Sequence, residues 1–226
     1  MRKIAVFGTG YVGLVTGVCF ADMGHDVICI DIDPVKVAQL QKGLSPIYEP
    51  GLEEMLEQNI HSGRLHFSTS SQEGVSKSDI IFVAVGTPPL EDGSADVDAV
   101  LKITADIARL MESPKTIVIK STVPVGTCAK INNQISEILQ QRHSRLEFAV
   151  CSNPEFFREG SALEDSLKPS RVIVGTDSTK AAEVLRDLYE PFLNGNPFLL
   201  MDFHSCLLYT SPSPRDLSTS RMPSSA

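Results

Sequence analysis

Short β-branched runs alternate with segments of helical period along most of the chain, and this alternation restricts the fold more than any other feature. "KIAVF" (3–7), "DVICID" (26–31), "DIIFVAV" (79–85), "TIVIK" (116–120), "EFAVCS" (147–152) and "RVIVG" (171–175) are nearly continuous in apolar residues. Parallel strands covered on both faces have that composition. "LHFST" (65–69) is a weaker candidate. Between the runs lie apolar stripes of helical spacing. One is Val97, Val100, Leu101, Ile103, Ile107 and Leu110; another is Ile131, Ile135, Ile138 and Leu139, with Thr127 as its N-cap; a third is Ala181, Val184, Leu185 and Leu188, capped by Asp177 or Ser178. Strand–helix alternation of this kind requires right-handed crossovers. It predicts an α/β, doubly wound, mostly parallel sheet with helices on both faces.

The first run ends in "GTGYVG", directly before a helical pattern over 11–23. Gly8, Gly10 and Gly13 fit the G-x-G-x-x-G spacing of a Rossmann-like dinucleotide site. The first glycine permits the tight turn, the second lets a pyrophosphate reach the backbone, and the third lets helix and strand approach. The phosphates then sit at the helix N-terminus, with Tyr11 and Val12 in its first turn. Asp31 closes the second run eighteen residues after Gly13. A carboxylate there accepts from ribose hydroxyls and repels a 2′-phosphate, which points to NAD rather than NADP. Asp33 is a competing acid, but it precedes Pro34 and reads as the cap of the next helix.

Three further segments leave strands at the same edge. They are "VGTPP" (85–89), "STVPVGT" (121–127) and "NPEFFREG" (153–160). Turn chemistry accounts for their Gly and Pro. It does not account for Thr87, Ser121 and Thr122 gathering at the edge where doubly wound folds bind ligands. The two acids of the last segment, Glu155 and Glu159, have a plainer explanation as first-turn residues of a helix that starts after Asn153-Pro154. Their position at the ligand edge favours a functional role.

Taken together, "GTGYVGLVTG", "DIDPVKV", "SPIYEPGLEEML", "VGTPPLEDGSADV", "KSTVPVGT", "NPEFFREGSALEDSLKPSRVIVG" and "LYEPF" resemble the nucleotide-sugar 6-dehydrogenases, in order, from residue 3 to about 205. "SPIYEPGL" and "FFREGSA" look more like the branch that acts on UDP-glucose than the GDP-mannose or UDP-N-acetylmannosamine branches. The resemblance implies oxidation of a sugar C6 alcohol to a carboxylate by two NAD in turn. A cysteine captures the aldehyde, the second hydride leaves a thioester, and water hydrolyses it. It implies that Gly8, Gly10, Tyr11, Val12, Gly13 and Asp31 hold NAD. Lys36 would lie near the adenosine, Thr87 near the phosphate–ribose edge, and Ser121 with Thr122 near the nicotinamide. Thr122 would help to position water, and Glu155 would be the base of thioester hydrolysis. Glu159 would line the substrate–nicotinamide junction, and Phe156, Phe157 and Arg158 would form the substrate loop together with Glu155 and Glu159. No metal is implied, and homodimers or larger assemblies are what the resemblance implies for full-length members of the family.

Family members are roughly twice as long. They continue into a connecting helix, which carries a lysine and an asparagine, and a second nucleotide-binding domain, which carries the nucleophilic cysteine. Cys19, Cys29, Cys128, Cys151 and Cys206 do not match that cysteine. The expected organisation is an NAD-binding domain over 1–205 followed by a disordered tail over 206–226, where eleven of twenty-one residues are Ser, Thr or Pro. Such a chain would lack catalysis of its own. Two other readings remain open: an NAD-binding module with no catalysis, or a short dehydrogenase of another family that uses Glu155 or Thr122. The net charge of −8 excludes a general nucleic-acid footprint. Five cysteines without a CxxC pair fit a reducing, cytoplasmic setting. The opening "MRKIAVFGTG" has too short an apolar run for a secretory signal, and no run reaches membrane-spanning length.

Overall fold

The computed structural model describes residues 1–210. The strands are β1 Lys3–Phe7, β2 Asp26–Ile30, β3 Leu65–Ser68, β4 Ile80–Val83, β5 Lys115–Ile119, β6 Phe148–Ser152, β7 Val172–Gly175 and β8 Phe198–Met201. They form one sheet in the order β3-β2-β1-β4-β5-β6-β7-β8. Pairing is parallel from β3 through to β6. The helices are α1 Tyr11–Asp22, α2 Pro34–Leu40, α3 Leu52–His61, α4 Ser71–Lys77, α5 Asp98–Leu110, α6 Thr127–Gln141, α7 Ala162–Leu167, α8 Thr179–Leu193 and α9 Phe203–Thr210. As the continuous apolar runs predict, the sheet is buried on both faces. α1, α2, α3, α7 and α8 contribute to one core; α4, α5, α6 and α9 contribute to the other.

α1 is the most enclosed helix, with every residue from Gly13 to Ala21 buried. A helix apolar on all sides belongs between layers. α1 lies over β1 and β2 and is covered in turn by α3 and α7. The strand order reverses between β1 and β4, so the carboxyl ends of these two strands diverge in their outgoing connections and open a crevice there.

The structure departs from the sequence expectations in four places. β7 pairs antiparallel to β6, through Ser152 and Gly175, and parallel only to β8. The connection from β6 uses residues 153–160 at the ligand edge and has only the six-residue α7 beyond them. Six helical residues span about 9 Å, short of the roughly 16 Å of a five-residue strand, so the chain does not return to the opposite edge of the sheet. Buried side chains bridge the gap that the short ladder leaves: Thr176 Oγ1 donates to the Val150 carbonyl (2.9 Å) and Asn153 Nδ2 to the Ile173 carbonyl (2.8 Å). β8 was not anticipated. Thr127 is the first residue of α6 rather than its cap, a position taken by Gly126 with φ 91°. Asp33 and Ser178 do cap α2 and α8 through their side chains.

The fourth departure concerns the stretch read as a tail. Residues 206–210 complete α9, and Cys206 and Leu207 are buried against the sheet. Residues 211–226 lie outside the described residues. Leu207 belongs to the second core, so Leu207→Ala should lower unfolding stability by about 2–4 kcal/mol, the cost of emptying a buried leucine site. Urea denaturation checks this: the midpoint should fall with the slope unchanged. An unchanged midpoint would show that α9 adds nothing to the core.

Candidate functional site

The three glycines of the first loop meet three different demands. Gly8 has φ 99°, and a Cβ on it would lie 2.6 Å from the Ala84 carbonyl oxygen. A Cβ on Gly13 would lie 2.0 Å from the Gly8 carbonyl oxygen. Around Gly10 nothing lies within 4 Å of the equivalent position. The outer two glycines therefore close the turn, and the middle one leaves open space at the N-terminus of α1. Gly10 caps α1 without a side-chain hydrogen bond, so the first-turn N–H groups remain available for an anion. This cradle fits a dinucleotide pyrophosphate.

Asp31 lies beside the loop. Its Oδ2 accepts from Thr9 N (2.9 Å), Thr9 Oγ1 (2.5 Å) and Lys36 Nζ (3.1 Å), and its Oδ1 accepts from Asp33 N (3.1 Å). Burial pushes the carboxyl up, but the hydrogen bonds from Thr9, Asp33 and Lys36 outweigh it and hold the group below its ordinary value. A carboxylate offers about four acceptor sites. With Oδ2 crowded, the remaining capacity is on Oδ1, which can take a ribose hydroxyl. Lys36, expected near the adenosine, is thus ion-paired to Asp31.

The loops after β4 and β5 are tied to each other. Thr87 Oγ1 donates to the Thr122 carbonyl (2.8 Å), and Ser121 Oγ donates to the Val85 carbonyl (2.6 Å). These contacts shape a cleft of about 230 Å³ at the β1/β4 reversal. Gly10, Tyr11, Val12, Thr87, Ser121, Thr122 and Glu155 all line it. A second cavity of about 430 Å³ lies behind residues 153–160, lined by Phe156, Phe157 and Arg158 with residues of α7 and α8. Lys120 and Glu155 line both. Glu159, expected at the junction, is exposed and lines neither. Arg158 is held by Asp165 through its guanidinium (2.7 and 3.1 Å) and its backbone N–H (2.9 Å). Arg171 stacks 4.6 Å from the Phe156 ring centroid.

Residues 2–193 match the family model described as the NAD-binding domain of the UDP-glucose/GDP-mannose dehydrogenase family. The chain belongs to this family. It is 46% identical over 199 residues to a UDP-glucose 6-dehydrogenase of Pseudomonas aeruginosa, covering 88% of this chain and 44% of that protein. Among solved structures it is similar to a UDP-glucose dehydrogenase of the hyperthermophilic archaeon Pyrobaculum islandicum (TM-score 0.85, 41% identity, 92% of this chain and 48% of that one). It is also similar to a ternary complex of GDP-mannose dehydrogenase from Pseudomonas aeruginosa (TM-score 0.84, 31% identity, 97% and 49%). The chain spans less than half the length of these relatives.

Two features of this domain have no clear mark in the sequence. The first is Lys120, which looked like the last residue of a strand. It is buried; its Nζ donates to Asn153 Oδ1 (3.2 Å) and lies 5.6 Å from the Phe157 ring centroid and 6.0 Å from that of Tyr189. Tyr189 donates to the same Asn153 oxygen (2.6 Å). A lysine among apolar strand residues is the signal that could have marked it. The second is Glu49, buried although it lies in a turn-rich segment. All five cysteines are buried, and burial pushes Cys19, Cys29 and Cys128 up to about 12 and Cys151 to about 11. Among the described residues, no helix is long and apolar enough to cross a membrane.

Burial pushes the Lys120 ammonium down from 10.5 to about 8, against the attraction of Glu155 and of Cys19. A lysine lowered on folding costs stability in full below its folded value. Between about pH 8 and 10.5 the unfolded chain binds more protons, so the unfolding free energy rises with pH as the penalty is relieved. Relative to Lys120→Met, the native chain should therefore gain up to about 3 kcal/mol between pH 7 and pH 10.5. Paired urea titrations at the two pH values check this. A difference that stays constant would mean that Lys120 keeps its proton as readily folded as unfolded.

Proposed function

We propose that this chain is the NAD-binding and water-activating part of a nucleotide-sugar 6-dehydrogenase that converts UDP-glucose to UDP-glucuronate. The observation that carries this reading is the cleft at the β1/β4 reversal, which gathers Gly10, Tyr11, Val12, Thr87, Ser121, Thr122 and Glu155 on one opening. The UDP-glucose choice is supported by 46% and 41% identity to proteins named for that sugar, against 31% for one named for GDP-mannose.

Bound NAD supplies a two-electron acceptor, and taking an alcohol to a carboxylate requires two of them and one water. The chain's own groups divide the remaining work. First-turn N–H groups of α1 hold the phosphates, and Asp31 Oδ1 holds a ribose hydroxyl. Ser121 and Thr122 stand at the nicotinamide end of the cleft, with Thr122 exposed to orient water. Glu155 Oε2 accepts from Phe157 N (2.5 Å), which fixes the carboxylate and leaves Oε1 to take a proton from an attacking water. Lys120 faces Glu155 from the shared wall and attracts it. Glu159 and the loop's aromatic residues would contact the sugar nucleotide. The covalent step requires a thiolate. Every thiol of this chain is buried and pushed up, which disfavours each as that nucleophile.

Calorimetry tests the cofactor assignment. The native chain should bind NAD more tightly than NADP. Asp31→Ala should weaken NAD binding by about 1–3 kcal/mol, the cost of leaving ribose hydroxyls unpaired. The same change frees Lys36 to meet a 2′-phosphate, so the preference over NADP should shrink or reverse. Equal affinity for both cofactors in the native chain would sink the role of Asp31. Adding UDP-glucose and NAD to the chain should give no sustained rise in NADH absorbance; turnover with two NADH per sugar would place a working thiol among these residues.

A further inference from the structure

Glu49 sits in "SPIYEPGL", a segment that the cofactor cradle does not explain. Its neighbour Tyr48 is 89% exposed, yet Glu49 is 5% exposed. A buried carboxylate is costly unless it is fully hydrogen-bonded. Three donors from three parts of the fold converge on this one. Oε2 accepts from Tyr11 Oη (2.5 Å) and Gly160 N (3.1 Å), and Oε1 accepts from Leu163 N (3.3 Å). Tyr11 is the first residue of α1 and lines the cofactor cleft. Gly160 ends the substrate loop. Leu163 lies in the first turn of α7, whose own cap residue, Ser161, makes no side-chain hydrogen bond.

The Tyr11 hydroxyl completes the node. With its one proton on Glu49, it accepts from Gly160 N (3.0 Å), an N–H shared with Glu49 Oε2, and the Arg158 carbonyl lies 3.3 Å away. Burial, and then Glu49, raise this phenol above its ordinary value, so it stays a donor. The other end of the loop is anchored separately, by Asn153 N to the Ile119 carbonyl (2.9 Å) and by the Asn153 side chain. Between the anchors, Phe156, Arg158 and Glu159 are exposed. Gly160 has φ 81° and nothing within 4 Å of where a Cβ would be, so the loop can pivot there once the node releases it.

We propose that Glu49 is a positioning residue that joins the cofactor helix to the substrate loop, so that NAD in the cleft orders residues 156–161 and an ordered loop favours NAD. The proposal rests on the reading of Gly8–Gly13 and α1 as the NAD site. A ligand on the first turn of α1 fixes the backbone of Tyr11, the far end of whose ring holds the loop through Glu49. Coupling of this kind is reciprocal.

Hydrogen exchange read by mass spectrometry, at NAD concentrations shown by calorimetry to saturate each protein, tests it. In the native chain NAD should slow exchange at amides 156–161 by about 5-fold or more, the lower end of ordinary coupling. In Glu49→Gln, which keeps the volume but replaces one acceptor oxygen with an NH₂ donor, the slowing should fall below about 2-fold. Tyr11→Phe, which removes the hydroxyl and leaves Glu49 in place, should lose it likewise. A purely structural Glu49 would speed loop exchange equally with and without NAD and keep the ratio, and that result overturns the proposal. Heat of NAD binding in the native chain without loop protection overturns the coupling alone. No heat at all overturns the cofactor reading and the coupling with it.

Discussion

The Gly8 carbonyl oxygen occupies the place where a side chain on Gly13 would begin. Helix α1 is therefore pressed against the end of β1 as closely as a backbone allows. Much of the molecule depends on that contact. It lets α1 lie deep between the sheet and the outer helices α3 and α7, buried from Gly13 to Ala21. It also aims the free N–H groups of the first turn out of the crevice between β1 and β4, where Gly10 leaves room. The same placement sends Tyr11 along the sheet edge toward the loop after β6. One steric condition thus sets the packing of the central helix, the outward aim of its free first-turn N–H groups and the reach of the side chain that touches the loop after β6.

The second organising feature is the reversal at β6. Because α7 is too short to carry the chain back across the sheet, β7 runs antiparallel to β6, and the ladder between them is reduced to one pair. The lost backbone hydrogen bonds are replaced by Asn153 and Thr176, and Asn153 in turn accepts from Lys120 and Tyr189. A buried ammonium pushed down to about 8 is a destabilising choice for a core. It stands where the two cavities meet, beside Glu155. Polar groups that weaken a core persist where a site needs them, and perturbed lysines concentrate at such places.

Much of this was legible in the sequence because the signals were local and of one period. The first seven strands, α1, α5, α6 and α8 follow from continuous apolar runs and helical stripes. The Gly8–Gly13 turn and Asp31 follow from strand–turn–helix–strand context, and Asp33 from its place before a proline. What stayed hidden is set by tertiary partners. β8 is a four-residue apolar run whose one strand partner among the described residues is β7, itself reversed. α9 was obscured by the Ser- and Pro-rich residues that follow it, although Cys206 and Leu207 find a core to fill. Lys120 looked like the end of a strand, and Glu49 like a turn residue, because their roles depend on partners 33 and 114 positions away.

The spacing of Glu155 and Glu159 shows why period alone misleads at a site. Four positions apart on a helix, the two acids would share a face and one environment. No helix spans 153–160; the next one starts at Ala162. Glu155 turns inward, with Oε2 fixed by the Phe157 N–H and Lys120 on the shared wall, while Glu159 stands in solvent beside the Gly160 pivot. Two identical side chains thus receive different surroundings from an irregular loop: one is half-buried and fixed on the shared wall, the other is solvent-facing. The irregularity follows from the short connection after β6. A longer α7 crossing the sheet would make residues 153–160 the start of an ordinary crossover, and Glu155 would not be placed by this loop on the wall shared by the two cavities.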